Sequence, residues 1–247
     1  MNAIAPLAAL CLILTGHPWL ALATLVTAHS LFLIPTLIPQ NAWCGPVLTQ
    51  LPASTSGFVW ITIDDGPDPI DTPILLDLLD THHAKATFFF IGAKARQYPH
   101  LVEEVIRRGH TLGNHTMTHP QYWFWCYPPH LLRREIIDCQ KTLTALAPDH
   151  PPSFFRAPAG FKNPFIHAIL KQQNLTLACW NARGLDGTER DPDKILTRLK
   201  SQIRPSSIIL LHESRLDLDG NRLAPNVLAQ LLKHLKDQKL LSQLPAS

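Results

Sequence analysis

Between Met1 and Ile63 the chain has no Lys, Arg, Asp or Glu; its 22 Lys+Arg and 19 Asp+Glu all lie later in the 247 residues. A segment with no polar face does not form the surface of a water-soluble domain, so the gap points to a membrane. Ala3 to Thr15 is apolar but short and carries Pro6, whereas Trp19 to Ile38 has about 20 residues, enough to cross a hydrocarbon core of roughly 30 Å. Gly16-His17-Pro18 between them reads as a turn. A two-span hairpin is the first expectation, and one span with an interfacial first segment the second. The start lacks a basic region and a clear small-residue cleavage site, which argues against a cleaved signal peptide. Without flanking Lys or Arg the positive-inside rule has nothing to count, and orientation stays open. The expected division is a membrane anchor over 1–40 with one or two transmembrane helices, a linker over 41–56 and one folded domain over 57–247.

Other absences narrow the rest. The net charge of +3 comes with no basic stripe interleaved with aromatics, which argues against nucleic acid as a partner. The five cysteines, Cys11, Cys44, Cys126, Cys139 and Cys179, show no CxxC spacing and an odd total, so neither a zinc ribbon nor a disulfide framework is inferred. There is no internal repeat, and beyond Phe58 no long linker to divide the domain.

What is present is alternation. Strands are predicted at Phe58–Ile63, Ala86–Ile91, His110–Asn114, Ser153–Arg156, Leu175–Trp180 and Ser207–Leu211. Helices are predicted at Ile70–Thr81, Pro99–Arg108, His130–Ala147, Pro164–Gln173, Pro192–Ile203 and Pro225–Gln238. Pro99 and Pro192 suit first helical positions, and Gly109 after Arg107-Arg108 suits a C-terminal stop. Strand followed by helix, repeated, is the pattern of a parallel sheet, closed into a barrel or open and doubly wound. Asp64-Asp65, His115, Arg156, Asp186 and His212 then all fall at or just after C-terminal strand ends, which in a parallel barrel share the face where sites are built.

Asp64-Asp65 after an apolar run, with His115 and His119 four residues apart, reads as a metal site. One carboxylate and two imidazoles leave coordination positions open for a polarised water, and the second aspartate is free to act as a base. Each part has a plainer explanation: Asp-Asp-Gly-Pro suits a turn, and a His pair is often incidental. Their joint occurrence favours the site. An Mg-dependent phosphoryl-transfer centre on Asp64, Asp65 and Asp68 is disfavoured by the histidines and by the lack of a phosphate-cradling glycine loop.

Five segments in order, TIDDGPDP at Thr62–Pro69, GNHTMTH at Gly113–His119, RAPAG at Arg156–Gly160, Trp180–Asp186 and ILLHE at Ile209–Glu213, resemble the polysaccharide deacetylases of carbohydrate esterase family 4, the NodB homology domain, over roughly Ser56–Leu244. The resemblance implies a distorted (β/α) barrel of about seven strands and metal-dependent removal of an N-acyl group, N-acetyl above all, from an amino sugar. It assigns Asp65, His115 and His119 to a divalent metal ion. Their donor set favours zinc and accepts cobalt or manganese. It also implies Asp64 as general base, Arg156 holding Asp64 ionised, His212 as general acid, Asp186 orienting His212, and Ala159 N–H as oxyanion donor, with Trp180 on the substrate side. The sequence departs from the family pattern at Ile63, Ala159, Gly187 and Glu213; the lost aromatics remove sugar-stacking surface. Tyr122–Tyr127 can replace that surface or simply pack in the core.

The stretch from Pro39 to Gly57 is short, and at about 3.3–3.6 Å per residue it keeps the site near the lipid surface. The expected partners are therefore an N-acylated envelope glycan or glycolipid and membrane lipid, with the protein anchored in the cell (inner) membrane. A chain starting near Ser54 is expected to be soluble and to retain metal-dependent activity on small soluble substrates. The rival expectation is a catalytically silent, membrane-anchored carbohydrate-binding protein, which has no need of base and acid together.

Overall fold

The structure, a computed structural model, describes residues 4–52 and 57–245. Two apolar helices come first: α1 (Ile4–Leu14) and α2 (Pro18–Leu37), joined by the expected turn. The barrel follows as β1 (Phe58–Gly66), α3 (Asp71–Thr81), β2 (Ala86–Phe90), α4 (Gly92–Gln97), α5 (Pro99–Arg107), β3 (Thr111–Asn114), α6 (Pro129–Leu146), β4 (Phe154–Phe155), α7 (Ile166–Gln172), β5 (Thr176–Leu177), β6 (Ala182–Arg183), α8 (Pro192–Gln202), β7 (Ile208–His212), α9 (Leu223–Asp237) and β8 (Leu241–Ser242). The strand order is β5-β4-β3-β2-β1-β7-β6, all neighbours parallel, with β8 paired to the start of β1. This is the expected distorted (β/α) barrel. Seven strands form the wall and β8 is a short addition. Pro99 and Pro192 open their helices, Asp191 caps the second by accepting from the amides of Asp193 and Lys194, and Gly109, at φ +73°, follows α5.

Side-chain alternation along β1 sorts the interior. Ile61 and Ile63 join Phe88, Phe90, Ile209, Leu211 and the helix faces in the main core. Trp60 joins Phe89, Phe154 and Leu210 in a second cluster, and its indole donates to Thr87 Oγ1 at 2.8 Å. Thr62 and Asp64, two and four residues on from Trp60, follow the same alternation. A two-sided hydrophobic strand with polar side chains only at its C-terminal end is what a buried parallel strand carrying a site requires.

The stretch expected as a linker, 41–56, is packed on the barrel over its described part; residues 53–56 lie outside the described residues. Leu48 bridges Ala178 in parallel, Gln50 bridges Ser207 antiparallel, and Leu51 is buried. The segment thus occupies the gap between β5 and β7. Upstream, Lys162 is buried and its Nζ donates to the carbonyls of Ile38 (2.5 Å) and Pro39 (3.0 Å), a cation at the C-terminal end of α2. Burial lowers the pKa of this ammonium. A Cβ on Gly160 would strike Pro39 at 2.7 Å, which is why glycine stands there.

Candidate active site

The functional side chains are placed by strand ends and strained turns. Asp64 ends the regular part of β1, and Asp65, at φ 71°, turns its side chain out of the strand alternation. His115 follows β3. His115 and His119 sit on a loop, not on a helix face: Thr116 (φ 68°) and His119 (φ 55°) bend it. Asn114 Oδ1 accepts from Thr116 N–H, and Glu135 accepts from both Thr118 N–H and its hydroxyl. Ala159 (φ 54°), Leu185 (φ 68°) and Ser214 (φ 66°) complete a set of non-glycine residues in left-handed backbone at or beside the site. Strain of about 1–3 kcal/mol at each persists only where surrounding structure enforces it.

Arg156 enters the barrel interior fully buried. Its Nη1 donates to Asp64 Oδ1 (2.7 Å) and Thr62 Oγ1 (2.8 Å), Nε to Ala178 O (3.2 Å) and Nη2 to Cys179 O (3.1 Å), and the guanidinium lies 4.1 Å over the Phe89 ring. A buried charge needs such a complete set of partners. Asp64 Oδ2 is left facing His115 Nε2 at 3.7 Å.

His115 Nδ1 donates to Arg156 O at 2.9 Å, which leaves the lone pair on Nε2. That atom lies 3.5 Å and His119 Nε2 3.2 Å from Asp65 Oδ1, a buried oxygen with no hydrogen-bond donor. Three ligand atoms within 4.8 Å of one another converge with lone pairs inward, an arrangement that a cation satisfies. Burial, and then the adjacent His115, push His119 down to about 4, so it is a neutral ligand at pH 7. Burial opposes ionisation of Asp65, but contact with His115 and the charges of His212, His115 and His119 outweigh it and hold the carboxyl below the usual range. The residues present fit a divalent ion.

On the opposite side stands His212, the last residue of β7. Asp186 accepts from its backbone N–H at 2.7 Å and from Nδ1 at 3.0 Å, so the ring's Nε2 is free. Burial disfavours the imidazolium, but Asp186, with Asp65 and Asp64 behind it, raises the pKa to about 9. Asp186 follows β6, a two-residue strand that the sequence does not announce. Next to His212, Glu213 is buried, bonded to Thr72 Oγ1 (2.5 Å) and Asp68 N–H (3.0 Å), and burial pushes it up to about 8. It ties the end of β7 to the turn after Asp65.

These groups surround one cavity of about 40 Å³, several times the 10–15 Å³ or so that one water needs. All but Arg156 and Asp186 of the sequence-derived residues line it: Asp64, Asp65, His115, His119, Ala159, Trp180 and His212. Arg156 and Asp186 stand behind it, bonded to Asp64 and His212. The Ala159 amide is in the first turn of a short 3-10 helix, where N–H groups have no intrahelical acceptor. Trp180 is buried and its indole N–H has no partner. Sequence reasoning missed Gln121, Gly160, Gly187 as lining and Arg215, whose Nη2 lies 3.4 Å from Asp65 Oδ2. A basic residue three positions after His212 was the only local signal for Arg215.

Fold and site define a parallel (β/α) barrel with a carboxylate–imidazole centre flanked by an Arg-held carboxylate and an Asp-held histidine. Residues 53–178 match the polysaccharide deacetylase family, and the chain belongs to that family. It is 33% identical over 168 residues to a chitooligosaccharide deacetylase of Sinorhizobium fredii, covering 67% of this chain and 77% of that one. It is 32% identical over 198 residues to a peptidoglycan-N-acetylglucosamine deacetylase of Bacillus cereus, covering 78% and 88%. Its structure superposes on a crystal structure of a peptidoglycan N-acetylglucosamine deacetylase with TM-score 0.71 and 28% identity, over 80% of this chain and 89% of that one.

Proposed function

We propose that the chain is a membrane-anchored, metal-dependent deacetylase that hydrolyses the N-acetyl amide of an amino sugar in an envelope glycan or lipid-linked saccharide. The observation that carries the reading is that Asp64 and His212 face one small cavity from either side of the Asp65–His115–His119 centre. The relatives named as acting on chitooligosaccharide and peptidoglycan N-acetylglucosamine support the substrate class. Zinc suits two imidazoles and a carboxylate, with cobalt or manganese as substitutes.

When bound, the ion supplies Lewis-acid polarisation of the acyl oxygen and a lowered pKa for water. Asp64, aimed by Arg156, takes the proton from the attacking water. The Ala159 N–H donates to the oxyanion. His212, oriented and kept protonated by Asp186, gives its Nε2 proton to the departing amine, without which amide cleavage stalls. Silent carbohydrate binding requires neither group.

For the anchor, α2 has 20 residues, close to the 30 Å or so of a hydrocarbon core, whereas the 11 residues of α1 span only about 16 Å. We read one span with α1 packed against it. The carbonyls that Lys162 binds and the barrel contacts of Leu48 and Leu51 support a helix that stays attached, not a leader that is removed. The inner membrane is the proposed location.

The test is incubation of the intact protein, loaded with zinc, with N-acetylglucosamine oligomers, followed by acetate release and mass spectrometry. Loss of acetyl groups that stops on chelation is expected; unchanged oligomers would overturn the activity. Intact protein should also stay in the membrane through carbonate washing.

A further inference from the structure

Between the two N-terminal helices and the barrel lies a groove of about 890 Å³, far larger than the catalytic cavity. Its walls include Ala5, Ala28 and Leu33 from the helices and Trp125, Tyr127 and Phe165 from the barrel. Among the described residues, no Lys, Arg, Asp or Glu lines it. Several of the polar groups that line it are bonded inside the protein: Thr36 Oγ1 donates to Leu33 O, His29 Nδ1 to Leu25 O, and Asn163 Nδ2 to the carbonyls of Phe124, Trp125 and Tyr127. A wall this apolar, without a formal charge to fix a headgroup, suits a hydrocarbon chain. One wall is a helix of membrane-spanning length, which places the groove where hydrocarbon chains are.

Two loops connect it to the chemistry. Ala159 and Gly160 line the catalytic cavity, and Asn163 to Phe165 line the groove; Gln121 lines the cavity, and Trp125 to Tyr127 line the groove. Asn163 is three positions on from Gly160 and Trp125 four positions on from Gln121, so the two spaces lie within about 11–14 Å along the backbone. Thr36 on the groove wall accepts from Lys162 N–H at 2.9 Å, fixing the helix beside this junction. We propose that the groove binds the hydrocarbon tail of a lipid-linked substrate while its N-acetylated sugar occupies the cavity over Asp64, Asp65 and His212. The proposal rests on the deacetylase reading and deepens it: the anchor is half of a substrate site. The exposed Tyr122 and Trp123 lie on the loop between the two spaces, beside the path of the linking headgroup.

The test uses the full-length zinc-loaded protein in phosphatidylcholine nanodiscs. The probe is N-acetylglucosamine linked through phosphate to a long prenyl chain that carries a diazirine. Photolabelling is expected on Ala28–Thr36, Trp125–Tyr127 and Asn163–Phe165. Unlabelled long-chain glycolipid should compete with it, and a short-chain analogue should not. Ala28→Trp and Ala5→Trp, which fill the groove from its two helical walls, should each raise KM for the long-chain substrate about tenfold and leave kinetics on soluble N-acetylglucosamine oligomers unchanged. Labelling spread evenly over the outward residues Leu22 and Val26, as bulk lipid would give, overturns the proposal. So do equal losses on both substrates in both variants, or a parent enzyme indifferent to chain length. A parent that deacetylates neither substrate refutes the activity instead, and the labelling pattern still decides the groove.

Discussion

In the N-terminal helices Trp19, Leu20, Leu22, Val26 and Ile34 stand exposed and no charge is present, whereas in the barrel Asp64, Asp65, Arg156, Lys162, Asp186 and Glu213 are buried. The first arrangement suits a solvent that welcomes apolar surface, and the second holds only where every charge meets a partner or is neutralised. Glu213 and Asp65, two of the three carboxylates with an orphaned buried oxygen among the described residues, show both solutions. Glu213, pushed up to about 8 by burial, keeps its proton. Asp65, facing three imidazoles, stays ionised and offers a donor set that fits a cation. Lys162 joins the two regions, a barrel charge spent on the C-terminal end of an apolar helix.

The largest break in that contrast is removal of a metal ligand. His115→Ala and His119→Ala should each lose stoichiometric zinc by elemental analysis and lower acetate release by more than about 10³-fold, the scale on which assembled catalytic groups fail together. Asp186→Asn comes next. By removing the charge that raises His212, it should cut kcat/KM about 10–100-fold and move the alkaline limb of the pH profile to lower pH, since the acid then loses its proton earlier. An unmoved limb would show that His212 is not the titrating acid.

Smaller effects probe the boundary. A chain starting at Gly57 loses Leu51 and Val47 from two barrel clusters, at roughly 1.5–3 kcal/mol for each side chain that was fully buried, and should unfold at lower denaturant than one starting at Gln40. A start near Ser54, itself outside the described residues, thus sacrifices part of the barrel. Glu213 gives the gentlest test. Its folded pKa lies above the unfolded one, so the native state binds more protons and stability falls as pH rises from about 4.5 towards 8. Glu213→Gln should flatten that slope in denaturant titrations at several pH values.

Much of this was legible in the sequence because it is encoded locally. Phe58–Ile63 announces a buried strand, and Asp64, Asp65, His115 and His119 are short-range groups whose convergence needs only a parallel barrel. Asp186 was readable as a partner of His212, although β6, two residues long, carries no periodicity. The six residues of α4 are likewise too few to show a helical pattern. The pairing of Leu48 with Ala178 and the bond from Lys162 to Ile38 O join positions more than a hundred residues apart, with no local signature. Arg215 reaches Asp65 only because Ser214 takes a left-handed turn. The aromatic run divides its roles in a way composition cannot show: Phe124 packs on Phe155, Trp125 and Tyr127 line the groove, and Tyr122 and Trp123 are exposed.

The central claim is that binding and chemistry are separate at one centre, with the ion on Asp65, His115 and His119 and the base on Asp64. The most direct measurement is acetate release by purified Asp64→Asn, with zinc content determined on the same sample. One zinc per chain with turnover reduced about 10²–10⁴-fold is expected, because the amide still accepts from Arg156 but cannot take a proton from water. Turnover at the parent rate with the metal in place would contradict the account.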